Sequence, residues 1–262
     1  MKRLMLFAAC LFFGGQASAG LDQQSVLAHY ADMAHAKYED ALTTARGLQA
    51  AVATLISEPT EANLSAAKAA WQAARVPYQQ TEVYRFGNAI VDDWEGKVNA
   101  WPLDEGLIDY VDGTSYGEES DENPYYGANV IANETLVLSG RSIDAKAITK
   151  ELLAETLHEV DEIEANVATG YHAIEFLLWG QDRNGSGPGS GQRPATDYDP
   201  TNCTGGNCER RAAYLAAATD LLVDDLEWMT AQWTENGAAR EPLSGKDSDR
   251  GLAIILTGMG SL

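Results

Sequence analysis

Cysteine is scarce: three in 262 residues, at positions 10, 203 and 208. That is too few for a disulfide framework, and the two in Cys203-Thr-Gly-Gly-Asn-Cys208 offer a metal fewer ligands than it needs. In an oxidising compartment a pair around a glycine turn predicts a local disulfide that staples the loop. Positive charge is also in short supply, with 18 Lys and Arg against 39 Asp and Glu and a formal charge of −21. Such acidity repels phosphate backbones and excludes nucleic acid as a partner. It suits cation binding, although most of these carboxylates read simply as a solvated surface. Past the first twenty residues no apolar run approaches the roughly 20 residues that cross a bilayer. Alternating apolar and polar residues, the mark of a strand, do not extend over any length, so the class is all-α, packed as up-and-down bundles.

What is present begins with a leader. Lys2 and Arg3 precede an apolar stretch from Leu4 to Phe13, and Ala17-Ser18-Ala19 is a cleavage signal. This predicts a secretory signal peptide over residues 1–19, removed before Gly20. Cys10 raises a lipoprotein alternative, but Phe7-Ala-Ala-Cys10 is a poor lipobox inside the apolar core. Loss of Lys2 and Arg3 with the leader takes the formal charge from −21 to −23.

Helical periodicity organises the remainder. Apolar residues from Val26 through Tyr30, Met33, Tyr38, Leu42 and Leu48 to Leu55 recur at three- and four-residue steps, predicting one helix over 25–57. Pro59 breaks the chain, and Thr60 is placed to cap a second helix through Trp71 towards Phe86. Pro77 inside it predicts a kink or break near Val76. From Gly87 to Asn129 the periodicity is lost, which predicts a long irregular segment of functional use. Asp144 is read as the cap of a helix through Leu152, Leu153 and Leu157. Residues 160–179 read as helical with a local break at Thr169-Gly170, and 209–233 as a long amphipathic helix. Trp71, Trp179, Trp228 and Trp233 sit at spacings that read as core or inter-helix packing.

One stretch stands out: Gly170-Tyr-His172-Ala-Ile-Glu175-Phe-Leu-Leu-Trp-Gly-Gln-Asp182. A buried imidazole and carboxylate each cost free energy unless paired or bound. Positions i and i+3 share a helix face, so His172 and Glu175 can present a nitrogen and an oxygen side by side. Two readings stand: a ligand pair for iron, zinc or copper, and an internal His–Glu hydrogen bond, which spacing alone makes the commoner. The zinc-peptidase patterns with two histidines are absent. His158 beside Glu155, Asp161 and Glu162 forms an acidic face that reads as solvated.

The stretch 170–182 resembles the signature of the imelysin family (peptidase M75-like), whose hallmark is Gly-x-His-x-x-Glu. Further pieces resemble the family in order: Ala70-Trp-Gln-Ala-Ala-Arg75-Val-Pro-Tyr78, Thr81-Glu82-Val-Tyr-Arg85-Phe-Gly87, Asn99-Ala-Trp-Pro-Leu-Asp104-Glu105, Ile108-Asp-Tyr110, and Arg210-Arg211 before Tyr214-Leu215. The detail is similar to the iron-regulated branch. The resemblance implies two helical bundles related by a pseudo-repeat, with the signature near their interface. By that template residues 20–195 form the first bundle, and 196–262 a loop and the start of a second, incomplete bundle. It implies an exported, periplasmic protein, outer-membrane-associated in some members, that serves iron uptake with a membrane component as partner.

On the same basis a metal ion, iron by family and zinc or copper by chemistry, is expected at His172 and Glu175. Glu82 and one of Asp104 or Glu105 are expected to complete the set, with Arg75 and Arg85 orienting carboxylates or binding an anion. Two rival readings stay open. One is a metal-dependent peptidase of the imelysin type, in which the cation activates water and Glu175 or Glu105 acts as base. The other is a noncatalytic module that binds a peptide, glycan or heme-like ligand.

Overall fold

A computed structural model describes residues 22–114, 116, 123–245 and 247–261. The leader and Cys10 lie outside the described residues. Helix α1 (Gln23–Ser57) is capped by Asp22, whose side chain accepts from Gln24 N. At 1.5 Å per residue it is about 50 Å long. Its buried stripe runs from Leu27 through Tyr38 and Ala45 to Leu55, close to the periodicity of the sequence, except that Val26 and Met33 fall outside it and are exposed. A three-residue link returns the chain as α2 (Glu61–Gln79), with Thr60 accepting from Asn63 N at its start. Pro77 does not break α2 on the spot. The helix ends two residues later at Gln79, and a single 3₁₀ turn, Glu82–Tyr84, follows.

The segment after Gly87 is more regular than its sequence suggested. Helix α3 (Ala89–Asn99) buries Val91, Trp94 and Val98, and the short α4 (Glu105–Ile108) buries Gly106 to Ile108. Two strands also form, β1 (Thr135–Leu138) and β2 (Arg141–Asp144), paired antiparallel with Leu138 opposite Arg141. Ser139 and Gly140 both take positive φ between them, a two-residue turn whose twist matches paired strands. Asp144 therefore ends a strand and caps no helix. The helical piece that follows is one π-type stretch, Leu152–Leu157, and residues 163–169 are irregular, so the predicted helix over 160–179 shrinks to α5 (Gly170–Trp179).

Helix α6 (Cys208–Gln232) packs along α1 and α5, and one apolar core draws on residues from both sides of position 195. The short α7 (Glu241–Ser244) and α8 (Ser248–Gly260) fold back onto α1. Cys203 and Cys208 are joined, as their spacing predicts. No helix among the described residues is long and apolar enough to cross a membrane.

Candidate functional site

The signature glycine has a steric reason. Gly170 opens α5 with φ +79°, and a Cβ there would meet the Val98 carbonyl oxygen at 2.4 Å. Only glycine allows the start of α5 to sit against the end of α3. Thr169 adds a hydrogen bond from its hydroxyl to Lys97 O, 2.9 Å. The helix then buries Tyr171, Ala173, Ile174, Phe176, Leu177 and Leu178, while His172 and Glu175 face the other way, half-buried.

They face a cleft of about 420 Å³. His172 Nδ1 lies 3.1 Å from Glu175 Oε2. With the carboxylate as acceptor, Nδ1 carries the proton and Nε2 keeps its lone pair for the cleft. The ring of Trp101, itself 69% exposed, lies 5.1 Å from the His172 ring. Trp71 and Trp179 form another wall, edge to face at 5.4 Å. Besides lining the cleft, these two rings join α2 to α5, the inter-helix packing their spacing predicts, and Trp233 is buried in the core; Trp228, 48% exposed, departs from that reading.

Charge in this cleft is of one sign. Among the described residues Glu105, Glu175 and Asp182 line it and no Lys or Arg does. Burial lifts the Glu105 carboxyl to about 7; nearby Arg193 opposes this, while Asp182, Asp104 and Glu175 add to it. Burial is the main cause, and neighbouring carboxylates, which disfavour one another's charge, add to it.

The expected ligands do not all meet. His172, Glu175 and Glu105 share the cleft. Asp104 turns inward, 2% exposed, where it caps α4 by accepting from Gly106 N and takes the Tyr116 hydroxyl. Glu82 lines a different cavity, together with Arg75 and Arg85. The reason is the chain path: α2 carries on past Pro77, so the turn at 82–84 lands beside α3 and away from α5. A first-row metal suits the donors in the cleft, one imidazole and carboxylates. Their spacing does not close a full site. Among the described residues no group of three or more His, Cys, Asp or Glu side chains is set to hold a metal ion.

A buried ion network, unforeseen from sequence, supports α4 and hence Glu105. Asp109, the residue after α4, accepts from Arg211 Nε at 2.6 Å and Nη2 at 3.0 Å, and from Arg193 Nη1 at 2.8 Å. Asp197 takes Arg193 Nη1 at 3.0 Å and the Tyr110 hydroxyl at 2.5 Å. These four charged side chains are at most 1% exposed. Two positive and two negative groups balance, which is how such charges survive burial. The signal for Arg211 was its place in the Arg210-Arg211 motif; Arg193 and Asp197 lie in a glycine-rich loop with no pattern to mark them. Arg210 works differently, donating to the carbonyls of Val130, Ile131, Ala145 and Lys146, each at 2.7 Å.

His158 proves to be structural. Its Nδ1 accepts from Ala168 N at 3.3 Å, so Nε2 donates to Gly96 O at 3.1 Å. Burial lowers its pKa, which keeps the ring neutral.

This helical fold is that of a known class. The sequence profile of the imelysin family (peptidase M75) matches residues 34–262, and the chain belongs to that family. It is 35% identical over 103 residues to iron-regulated protein A of Synechococcus elongatus, a stretch that covers 39% of this chain and 28% of that protein. The crystal structure of a protein described as an iron-regulated protein A precursor, from Parabacteroides distasonis, superposes with a TM-score of 0.56 at 19% identity. That match covers 90% of this chain and 55% of the other. The chain thus corresponds to about half of the solved structure and to a smaller part of the cyanobacterial protein.

Proposed function

We propose that this is an exported imelysin-family protein that serves iron acquisition or homeostasis, with a metal ion as cargo in the α5 cleft. His172 Nε2 and the Glu175 carboxylate are the first donors in this reading. Glu105 is the carboxylate that joins them, while Asp182 adds charge at the edge. The observation that carries the reading is the acidic cleft itself: the mutually repelling carboxylates of Glu105, Glu175 and Asp182 line it with the His172 imidazole, and among the described residues no Lys or Arg shares that lining. A cation relieves that repulsion. Export rests on the leader at 1–19 and accords with the Cys203–Cys208 disulfide.

The test is calorimetric titration of Fe(II), Fe(III), Zn(II) and Cu(II) into chelator-treated protein, beside His172→Ala, Glu175→Ala and Glu105→Gln. The expected result is one ion per chain, lost with the first two substitutions and weakened by the third. If no ion binds the unsubstituted protein, or if the substitutions leave binding untouched, the reading is overturned. Incubation of the loaded protein with unfolded casein separates the peptidase alternative, which requires cleavage that His172→Ala abolishes.

A further inference from the structure

The second cavity, which took Glu82, Arg75 and Arg85 away from the His172 cleft, has a character of its own. It encloses about 190 Å³ between α1, the end of α2, the 3₁₀ turn and α3. Sites for drug-sized ligands run to roughly 300–1,000 Å³, so its occupant is small. Its walls are aromatic: Tyr38 and Trp94 meet edge to face at 5.9 Å, and Tyr78 lies 6.4 Å from Trp94. All three are more than nine-tenths buried.

Its charges divide into those already satisfied and those that are not. Arg85 is neutralised by Asp92 at 2.8 Å and Glu95 at 3.0 Å. Glu95 also accepts from Asn99, whose side-chain oxygen takes Arg75 Nη1 at 2.6 Å. Arg75 therefore has a neutral amide partner and the faces of Tyr171, Tyr78 and Trp71 at 5.0–5.8 Å, but no carboxylate among the described residues. Glu82 has no hydrogen-bonded or ion-paired partner for its carboxylate among the described residues, and it stands exposed at the cavity. The third open group is Trp94. It is 4% exposed, it lines the cavity, and its indole N–H has no acceptor. A buried donor left unpaired costs roughly 1–3 kcal/mol, so a protein keeps one only for a reason.

A guanidinium with no carboxylate partner, an exposed carboxylate with no cation, a buried N–H with no acceptor and an aromatic wall together describe a ligand with both charges on a small frame. We propose that this cavity binds a free α-amino acid. Arg75 takes the carboxylate through its planar donor fork, Glu82 takes the ammonium, and Trp94 N–H gives the carboxylate its remaining hydrogen bond. The amino acid side chain lies against Tyr38 and Trp94, which favours an apolar one. The proposal does not require a metal in the α5 cleft.

The test is a calorimetric titration of the full chain with the standard L-amino acids at concentrations up to millimolar, followed also by tryptophan fluorescence. Each ligand found is repeated as its carboxamide, which lacks the carboxylate, and as its N-acetyl derivative, which lacks the ammonium. At least one free amino acid should bind, and both derivatives should bind at least tenfold more weakly. Arg75→Met and Glu82→Gln should each weaken binding at least tenfold, while His172→Ala should leave it unchanged. Trp94→Phe removes the N–H donor but keeps an aromatic ring: it should weaken binding several-fold and leave the far-ultraviolet circular dichroism of the ligand-free protein unchanged, which separates lost binding from misfolding. The proposal is overturned if no amino acid binds, if a derivative binds as well as its parent, or if His172→Ala abolishes binding as Arg75→Met does. It is also overturned if Trp94→Phe leaves affinity unchanged.

Discussion

Asp109→Ala removes the acceptor at the centre of the buried ion network and leaves two guanidinium groups facing the single carboxylate of Asp197. The geometry sets the size of the effect. Asp109 receives three donors at 2.6–3.0 Å, and the groups involved are at most 1% exposed, so water cannot substitute for it. Two unit charges about 4 Å apart attract by about 4 kcal/mol at an effective dielectric near 20. Deleting one partner of a buried pair typically costs 3–5 kcal/mol, because the other charge stays behind uncompensated. For a chain of this size that corresponds to a fall in Tm of about 6–20 °C. Guanidinium unfolding followed by circular dichroism measures it. The companion measurement is the double variant Asp109→Ala/Arg211→Met, which restores balance between Arg193 and Asp197. It should be less destabilised than the sum of the single variants by about 1 kcal/mol or more. A single-variant loss below about 1 kcal/mol, or strict additivity, would refute the account of a balanced network.

Further predictions concern protons and backbone. The Glu105 carboxyl is held near 7 in the folded chain against a usual value of 4.5. Between those values the folded chain retains a proton that the unfolded chain has lost, so this group lowers stability as pH rises from about 4.5 through about 7. Glu105→Gln should therefore raise Tm at pH 8 and leave it unchanged at pH 4; a gain confined to acid would sink the argument. His158 should titrate below its usual 6.5 in an NMR pH series, because burial disfavours the charged ring, and a higher value would contradict its role as a neutral bridge. Gly170→Ala has neither the room nor the φ it needs, so chemical unfolding should show a loss greater than about 1 kcal/mol. A loss near zero would mean that the approach of α5 to α3 is not tight.

Pattern in the chain was enough for the long elements. α1, the Thr60 cap and α6 follow from apolar residues at three- and four-residue steps, since a long helix repeats its buried face many times. α3 does not stand out in the sequence although Val91, Trp94 and Val98 carry the same step, because three apolar positions among Asp92, Asp93 and Glu95 are too few. The hairpin is equally faint because β1 and β2 are four residues each, and Ser139-Gly140 is its one clear sign.

The sequence by itself determined that helices dominate, that Cys203 and Cys208 pair, and that His172 and Glu175 share one face of a helix. These depend on neighbours a few residues apart, which periodicity and spacing encode directly. Only the tertiary structure decided which carboxylates reach that face. Glu105 arrives on α4, held by Asp109 and its buried arginines, while Glu82 is carried past the end of α2 to a separate aromatic cavity. Both outcomes turn on how α2, α3 and α5 pack across as many as a hundred residues of chain, a relation that no local pattern records.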